Sequence, residues 1–135
     1  MLKFKKIKYE IHGVPFYEDK KYNIYDGNKK IGTISYIKKY RKIIIEYLNI
    51  FDEYKKMGYG SKVVETLLSK NSIECIIGET LGTSRGFWHK MIKKYNGSRR
   101  NITYNDNTTS SFVIPKNKIT NEEIYSLFEY CDSLF

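Results

Sequence analysis

The chain has 135 residues, of which 41% are hydrophobic and 16% aromatic, which is enough apolar surface for one core and excludes a disordered chain. No apolar run reaches the roughly 18 residues that span a bilayer, and the basic residues 1–8 are not followed by the apolar stretch of a signal peptide. Cys75 and Cys131 are too few for a disulfide scaffold or a zinc knuckle. We therefore expect a single domain, residues 1–135, in the reducing cytoplasm, with no metal and no membrane partner.

The net charge of +9 predicts an anionic partner such as a nucleotide, a nucleic acid or an acidic protein. Residues 1–100 carry 22 basic and ten acidic side chains, whereas residues 101–135 carry two and five, so the partner is expected on the first hundred residues. A second explanation competes with a partner. The chain lacks Ala and Gln and is rich in Lys, Asn, Ile and Tyr, which is typical of AT-rich coding.

Hydrophobic spacing predicts four strands in the first part of the chain. Residues 3–11 alternate, with apolar side chains at Ile7, Tyr9 and Ile11, and residues 12–21 contain Gly13 and Pro15 and indicate a loop. Further strands are expected at residues 22–25, 31–37 and 42–51, with turns at residues 26–28 and 38–41. The run at 42–51 is apolar on both faces, so it is predicted to be central.

Beyond residue 60 the spacing becomes helical. A helix is predicted over Val63 to Leu68, ending near Asn71, then a buried strand at 73–78 and a helix capped by Thr83 or Ser84 and ended at residues 96–97. A polar hairpin (101–104 and 111–114) and a helix over residues 120–131, opened by a capping box at 120–123, complete the chain. The order β-β-β-β-α-β-α-β-β-α predicts an α/β (α+β) fold with a mixed sheet and one βαβ crossover.

The segment between the central strand and the first helix has the features of an anion-binding loop. Backbone N–H groups are unpaired at a helix N-terminus, glycine lets a phosphate approach closely, and Lys55, Lys56 and Lys62 add charge. The dinucleotide pattern Gly-x-Gly-x-x-Gly is absent because Val63 occupies its third glycine position, and no Walker A motif is present.

The sequence Lys55-Lys56-Met57-Gly58-Tyr59-Gly60 resembles the Arg/Gln-x-x-Gly-x-Gly/Ala signature of the GNAT acetyltransferases. The likeness extends over residues 30–97. Leu48-x-Ile50 resembles the end of the family's fourth strand, residues 52–54 resemble its Pro-Glu-Tyr segment, and residues 87–91 resemble its Phe-Tyr-x-Lys-Leu helix. The resemblance implies a mostly antiparallel mixed sheet with helices on both faces, a shortened N-terminal helical region and an extra C-terminal helix.

The resemblance also implies acetyl-CoA as the co-substrate and the residues that bind it. The backbone of Leu48, Asn49, Ile50 and Phe51 would pair with the pantetheine arm, and residues 79–83 would line the opposite side. The pyrophosphate would be bound by the loop, and Ser84 and Trp88 complete the predicted set, whose loop members are Lys55, Lys56, Met57, Gly58, Tyr59, Gly60, Ser61 and Lys62.

In the family a glutamate on one of two strands deprotonates the acceptor amine, and here the candidates are Glu79 and Glu46. Glu46 lies in an apolar run, where burial would raise its pKa. Trp88 occupies the position of the tyrosine that protonates the leaving thiolate in many members, and indole is no acid at neutral pH. Trp88 is then either packed beside the cofactor arm or an ordinary core residue, and His89 is expected on the helix surface.

The acceptor is left open by the sequence. Residues 12–21 are too short for the two helices that usually form one lip of the acceptor cleft, and the helix 120–131 would either fill that space or cover the sheet. A macromolecular, acidic acceptor would suit an open basic cleft. Two other functions compete with acetyl transfer: an inactive GNAT-fold binding or inhibitor protein, and a basic nucleic-acid-binding domain. The oligomeric state is not predicted.

Overall fold

The computed structural model describes residues 2–80, 84–104 and 107–134, which form seven strands and three helices. The strands are β1 (Leu2–Ile11), β2 (Val14–Asp26), β3 (Lys29–Lys39), β4 (Lys42–Ile50), β5 (Cys75–Glu79), β6 (Ser98–Tyr104) and β7 (Asn107–Pro115). The helices are α1 (Tyr59–Leu68), α2 (Arg85–Lys94) and α3 (Asn121–Leu134), and one 3-10 turn lies at Asp52–Tyr54. This is the predicted order of elements.

All seven strands form one sheet in the order β1-β2-β3-β4-β5-β7-β6. Neighbouring strands are antiparallel except β4 and β5, which are parallel and joined through α1, as the predicted βαβ crossover requires. β4 is the fourth of the seven strands, and its residues 43–45 are buried because helices cover both faces there. The predicted mixed sheet with a central β4 is therefore confirmed.

Two apolar clusters lie on opposite faces of the sheet. Helices α1 and α2 cover one face, where the core contains Ile34, Ile43, Ile76, Phe112 and Ile114 together with Val63, Leu67, Trp88 and Met91 of the helices. Helix α3 covers the other face, where Phe128 packs with Ile44, Cys75, Ile77 and Val113. The capping box at its start is present, since the Glu123 backbone N–H donates to Thr120 Oγ1 at 3.2 Å.

The N-terminal region differs from the prediction. Residues 12–21 are not a loop: β1 and β2 form one long hairpin that turns at His12 and Gly13, whose φ angles of 51° and 78° are left-handed. Histidine is one of the residues that tolerate this conformation, so His-Gly replaces the usual Asn-Gly turn. Pro15 is accepted because this part of β2 pairs with β1 alone.

The prediction that one face of β1 is half-buried was also wrong in part. Tyr9 and Ile11 are 41% and 58% exposed because the hairpin extends beyond β3, and burial occurs instead at Leu2, near the start of the strand. The predicted helix end at Asn71 was too late, as α1 is capped at Ser69. Ser84 precedes α2 but makes no side-chain capping bond, and Thr83 lies outside the described residues.

Helix α3 does not dock beside residues 12–21. Its contacts with Ile44, Ile77 and Val113 place it over β4, β5 and β7. It therefore covers the sheet, which is the second of the two positions expected from the sequence. The side chain of Cys131 lies outside the described residues. No helix in the described ranges is both long enough and apolar enough to cross a membrane.

Candidate functional site

The central strands separate where the predicted site lies. β4 and β5 pair only at Lys42–Cys75, Ile43–Ile76 and Ile44–Ile77. The rest of β4 is bonded to β3 alone, and its register shifts at Glu46, because Tyr36 pairs with Ile45 and Ser35 with Tyr47. The extra residue is a β-bulge, which bends the strand. The β4 edge that faces β5 is thereby left open beyond Ile44.

An inner cleft of about 230 Å³ occupies this opening, and it brings both candidate bases together. Its lining consists of Ile45, Glu46, Tyr47, Leu48, Glu79, Ser84, Trp88 and Phe112. Glu79 is half-buried at the end of β5. The two residues are 33 positions apart in the sequence, and the parallel pairing of β4 with β5 brings both into the lining of one cleft.

Glu46 is not buried, contrary to the expectation from the sequence. Its side chain is 45% exposed, since the bulge turns it out of the apolar run on either side. One carboxylate oxygen accepts a hydrogen bond from Ser35 Oγ at 3.2 Å, and the other lies 4.0 Å from Lys20 Nζ. Ser35 is fully buried, so the carboxylate is held from beneath by a fixed donor.

An outer cleft of about 520 Å³ continues from the inner one, with which it shares Leu48 and Ser84. It runs between the end of β4, the start of α1 and one face of α2. Its lining consists of Leu48, Asn49, Ile50, Tyr54, Lys55, Lys56, Gly58, Tyr59, Gly60, Ser61, Ser84, Phe87, Lys90 and Met91. The combined groove is open, elongated and mostly apolar, with lysines at its outer end.

The outer end is built as an anion site by the start of α1. Gly58 precedes the helix with a φ of 81°, and Lys56 has a φ of 64°. No side chain caps this helix, and its first residues line the cleft, so unpaired backbone N–H groups and the positive end of the helix dipole lie at this end of the cleft. Lys55 and Lys90 add charge, although Lys55 Nζ is 2.9 Å from a carboxylate oxygen of Asp52.

Tyr59 fixes the first turn of α1 to the sheet. Its hydroxyl donates to Asp26 at the end of β2, at 2.6 Å, and its side chain is buried. The hydrogen bond lowers the pKa of Asp26 and raises that of Tyr59, because it favours the charged carboxylate and the neutral phenol. The N-terminus that faces the cleft is thus anchored through a residue of its own first turn.

Most residues of the predicted cofactor set line the groove, and three do not. Met57 is 61% exposed, Lys62 lies over the ring of Tyr59, and Phe51 lies beneath Lys30. Trp88 is 4% exposed and its ring stacks on Phe112 with 4.5 Å between centroids, so it is a core residue that also lines the inner cleft. The predicted lining at 81–83 lies outside the described residues.

Sequence reasoning did not find the α2 wall of the groove, which consists of Phe87, Lys90 and Met91. Their spacing of three and four residues places them on one helix face, and this spacing is the signal in the sequence that could have found them. Tyr47 and Tyr54 were missed as well. His89 lies at the surface of α2 and is partly exposed, with its ring nitrogen Nε2 against the Arg99 guanidinium.

The fold is similar to those of solved acetyltransferases. An acetyltransferase from Bacillus subtilis, solved with CoA, is 15% identical, with a TM-score of 0.52 over 70% of this chain and 75% of that chain. The ribosomal-protein-S18-alanine N-acetyltransferase from Escherichia coli is 8% identical, with a TM-score of 0.54 over 90% and 97%. A GNAT-family protein from Bacteroides thetaiotaomicron is 17% identical, with a TM-score of 0.57 over 82% and 68%.

No protein-family model and no curated protein matches the sequence, so the likeness is one of structure. At these identities it shows the fold, which is that of the GNAT acetyltransferases. The fold class expected from the motif at residues 55–60 is confirmed.

Proposed function

We propose that this protein transfers an acetyl group from acetyl-CoA to a primary amine. The observation that carries the proposal is the separation of β4 and β5 after Ile44, which opens a groove from the uncapped start of α1 to two carboxylates. The similar structures support it, since they include acetyltransferases and a CoA complex.

The chain's own groups fit CoA along this groove. The backbone N–H groups at the start of α1, with Lys56 and Lys90, would bind the pyrophosphate at the outer end. The unpaired β4 edge at Leu48, Asn49 and Ile50 would hydrogen-bond to the amides of the pantetheine arm as a neighbouring strand does. The thioester would then lie in the inner cleft near Glu46 and Glu79.

The reaction requires a neutral amine, because an ammonium nitrogen has no lone pair for attack. Glu46 or Glu79 would accept the proton that the nitrogen loses as the C–N bond forms and the C–S bond breaks. A backbone N–H of the open β4 edge would stabilise the negative charge that develops on the carbonyl oxygen. The proton balance closes when the CoA thiolate is released and protonated from solvent.

A second candidate function is favoured by Trp88. Its indole is packed on Phe112 in the inner cleft and cannot donate a proton to the leaving thiolate. A protein that binds CoA without turnover would have the same groove. Because a thiolate leaves without acid assistance more readily than an alkoxide or an amide does, we favour transfer.

The test is thiol release from acetyl-CoA with a panel of amines and a host lysate, followed by mass spectrometry of acetylated products. We expect Glu46→Gln or Glu79→Gln to bind acetyl-CoA normally and to lose a factor of about 10²–10⁴ in rate, whereas Glu65→Gln, on the outer surface of α1, retains activity. Failure to bind acetyl-CoA would refute the groove assignment. Tight binding without thiol release under any condition would establish the second candidate.

A further inference from the structure

The second and third strands separate just as the central pair does. β2 pairs with β3 from Asp26–Lys29 to Lys21–Ser35 and no further. Beyond that point residues 14–17 of β2 pair with β1 alone, and residues 36–39 of β3 pair with β4 alone. Each strand therefore presents an unpaired edge of backbone N–H and C=O groups toward the other, and such an edge is a template for a further strand.

A cavity of about 580 Å³ lies where the two strands separate. Its lining comes from both of them, from β4 and from the segment after α1, and consists of Asp19, Lys20, Tyr22, Tyr36, Ile37, Lys38, Ile43, Lys70 and Ser72. The cavity reaches the apolar core at Ile43, and its Tyr22 and Tyr36 rings stack with 4.7 Å between centroids. It is thus a preformed opening with a firm aromatic wall.

The lining of this cavity carries three lysines, Lys20, Lys38 and Lys70, and one acidic residue. Lys38 Nζ donates to Ser72 Oγ at 2.6 Å, and Lys70 Nζ lies over the ring of Phe4. Among the described residues neither lysine has a carboxylate partner, and Asp19 is the one acidic residue in the lining. An occupant that carried carboxylates would complement these lysines.

One face of the hairpin arm beyond the opening is apolar and exposed. Tyr9 pairs with Phe16 and Ile11 with Val14 across the hairpin, all four are more than 40% exposed, and the Tyr9 and Phe16 rings stack. Solvent-exposed strands usually carry polar side chains, so this arm has the composition of a surface that a partner covers. Apolar side chains of an added strand would pack against it.

The closed end of the opening lies at the candidate catalytic carboxylate. Ser35, which pairs with Lys21 at the last β2–β3 step, donates to Glu46, and Lys20 of the cavity lining is 4.0 Å from the same carboxylate. A chain that entered between β2 and β3 would end beside Glu46. The opening and the proposed reaction site are therefore adjacent.

We propose that an extended, acidic segment of a polypeptide binds between β2 and β3 as an added strand, and that this polypeptide is the acceptor of the acetyl group. The acceptor role rests on the proposed function. The segment's terminal amine lies at the closed end near Glu46, its carboxylates pair with Lys38 and Lys70, and its backbone pairs with the free strand edges. Strand edges favour a peptide over a nucleic acid, because a phosphate backbone cannot match alternating N–H and C=O groups.

Binding is tested first without acetyl-CoA. The probe is a hexapeptide of alternating glutamate and valine with a free α-amine and a fluorophore at its C-terminus, followed by fluorescence anisotropy. Lys38→Glu should weaken binding by about tenfold or more. Lys29→Glu, on the same strand nine positions away at its other end, should change it by less than about twofold. Equal losses in both variants would overturn the site.

Two further peptides test strand addition. Successive backbone N–H groups of an extended segment point to opposite sides, here one toward β2 and the next toward β3. A series methylated on the odd-numbered nitrogens and a series methylated on the even-numbered nitrogens should therefore each weaken binding. Equal retention in both would overturn backbone pairing. Stronger binding of an oligouridylate through Lys38, or a dimer that depends on Lys38 in light scattering, would replace the peptide by a nucleic acid or a second copy.

The two proposals fail separately. If other amines are acetylated while the bound peptide is not, the acceptor assignment is wrong and the proposed function stands. If the peptide binds and no amine is ever acetylated, the proposed function is wrong, and with it the acceptor role. If the peptide is acetylated equally well by the wild type and Lys38→Glu at limiting peptide, the opening is not the acceptor site.

Discussion

A β-carbon placed on Gly60 would lie 2.8 Å from the Phe87 ring, which is closer than side chains pack. Gly60 is the second residue of α1 and Phe87 belongs to α2, so the glycine marks the point where the two helices touch. The sequence pattern indicates that Gly60 lets a phosphate approach the backbone. The structure adds a second reason for glycine here, because a larger residue would push against the Phe87 ring and disturb the groove even without a ligand. Gly58 is different, since a β-carbon there meets nothing and its φ of 81° is what requires glycine.

This contact predicts a non-additive pair of substitutions. Gly60→Ala should lower the free energy of unfolding by about 1–3 kcal/mol, the usual cost of overpacking. In a Phe87→Ala background the same change should cost little or should stabilise, because alanine favours a helix over glycine by about 1 kcal/mol. Urea denaturation of the four proteins measures the coupling. Additive effects would show that the ring is not what excludes a side chain at Gly60.

The parts of the fold that depend on local spacing could be predicted from the sequence. The apolar run of β4 and the helical spacing after Gly60 identify the βαβ unit, and the capping box at 120–123 identifies the start of α3. The hairpin at His12 could not be recognised, because His-Gly is a rare form of the two-residue turn and Pro15 indicates a loop.

The loop residues of the candidate site could be predicted from the sequence, whereas the arrangement of its strand residues could not. The residues between Lys55 and Ser61 follow one another in sequence, so their motif could be read directly. The exposure of Glu46 depends on a bulge, and the bulge is a difference in register between β3 and β4 that neither strand shows alone. The opening between β2 and β3 likewise exists because pairing stops at Lys21, which is a property of two strands together.

The ion pair between Lys55 and Asp52 predicts an unusual gain of affinity. Asp52 is an exposed anion 2.9 Å from a lysine that lines the outer cleft, so it competes with a bound phosphate for that lysine. Asp52→Asn should tighten acetyl-CoA binding by up to about 1 kcal/mol at low salt, and the gain should shrink at high salt. Isothermal titration at two ionic strengths measures it, with Glu53→Gln as the neighbouring control. Weaker binding by Asp52→Asn would mean that the carboxylate orients Lys55 productively.

The position of α3 predicts what its removal exposes. Ending the chain after Asn117 removes Phe128 and uncovers Ile44, Ile77 and the thiol of Cys75, which is 1% exposed in the intact protein. The loss of one large buried aromatic alone costs about 3–5 kcal/mol, so we expect poor solubility and a lower free energy of unfolding rather than a specific change in acceptor KM.

A thiol reagent measures this uncovering. The truncation also removes Cys131, so any fast reaction in the truncated protein is that of Cys75, and full-length Cys131→Ser is the matched reference. Tyr125→Ala in the Cys131→Ser background, at a 69% exposed position of the same helix, should leave the Cys75 thiol protected. A truncated protein whose Cys75 stayed unreactive would show that α3 does not cover this face in solution.

The hydrogen bond from Tyr59 to Asp26 makes the stability of the protein depend on pH in a defined way. The pKa of Asp26 is lowered from 3.8, so its contribution is complete above that value and is lost as the pH falls through the folded-state pKa. The pKa of Tyr59 is raised from 10.0, so its contribution is complete below that value and is lost as the pH rises through its folded-state pKa. Tyr59→Phe removes both contributions. The variant should therefore be less stable than the wild type across the neutral range, and the difference should narrow below pH 3.8 and above pH 10.0.

Thermal unfolding across this pH range measures the difference in stability between Tyr59→Phe and the wild type. Tyr54→Phe is the control, because its ring packs against Tyr59 at 6.0 Å while its hydroxyl has no hydrogen-bond partner in the described part of the chain. If the difference between Tyr59→Phe and the wild type were the same at every pH, the hydroxyl would contribute by packing and not through the Asp26 carboxylate.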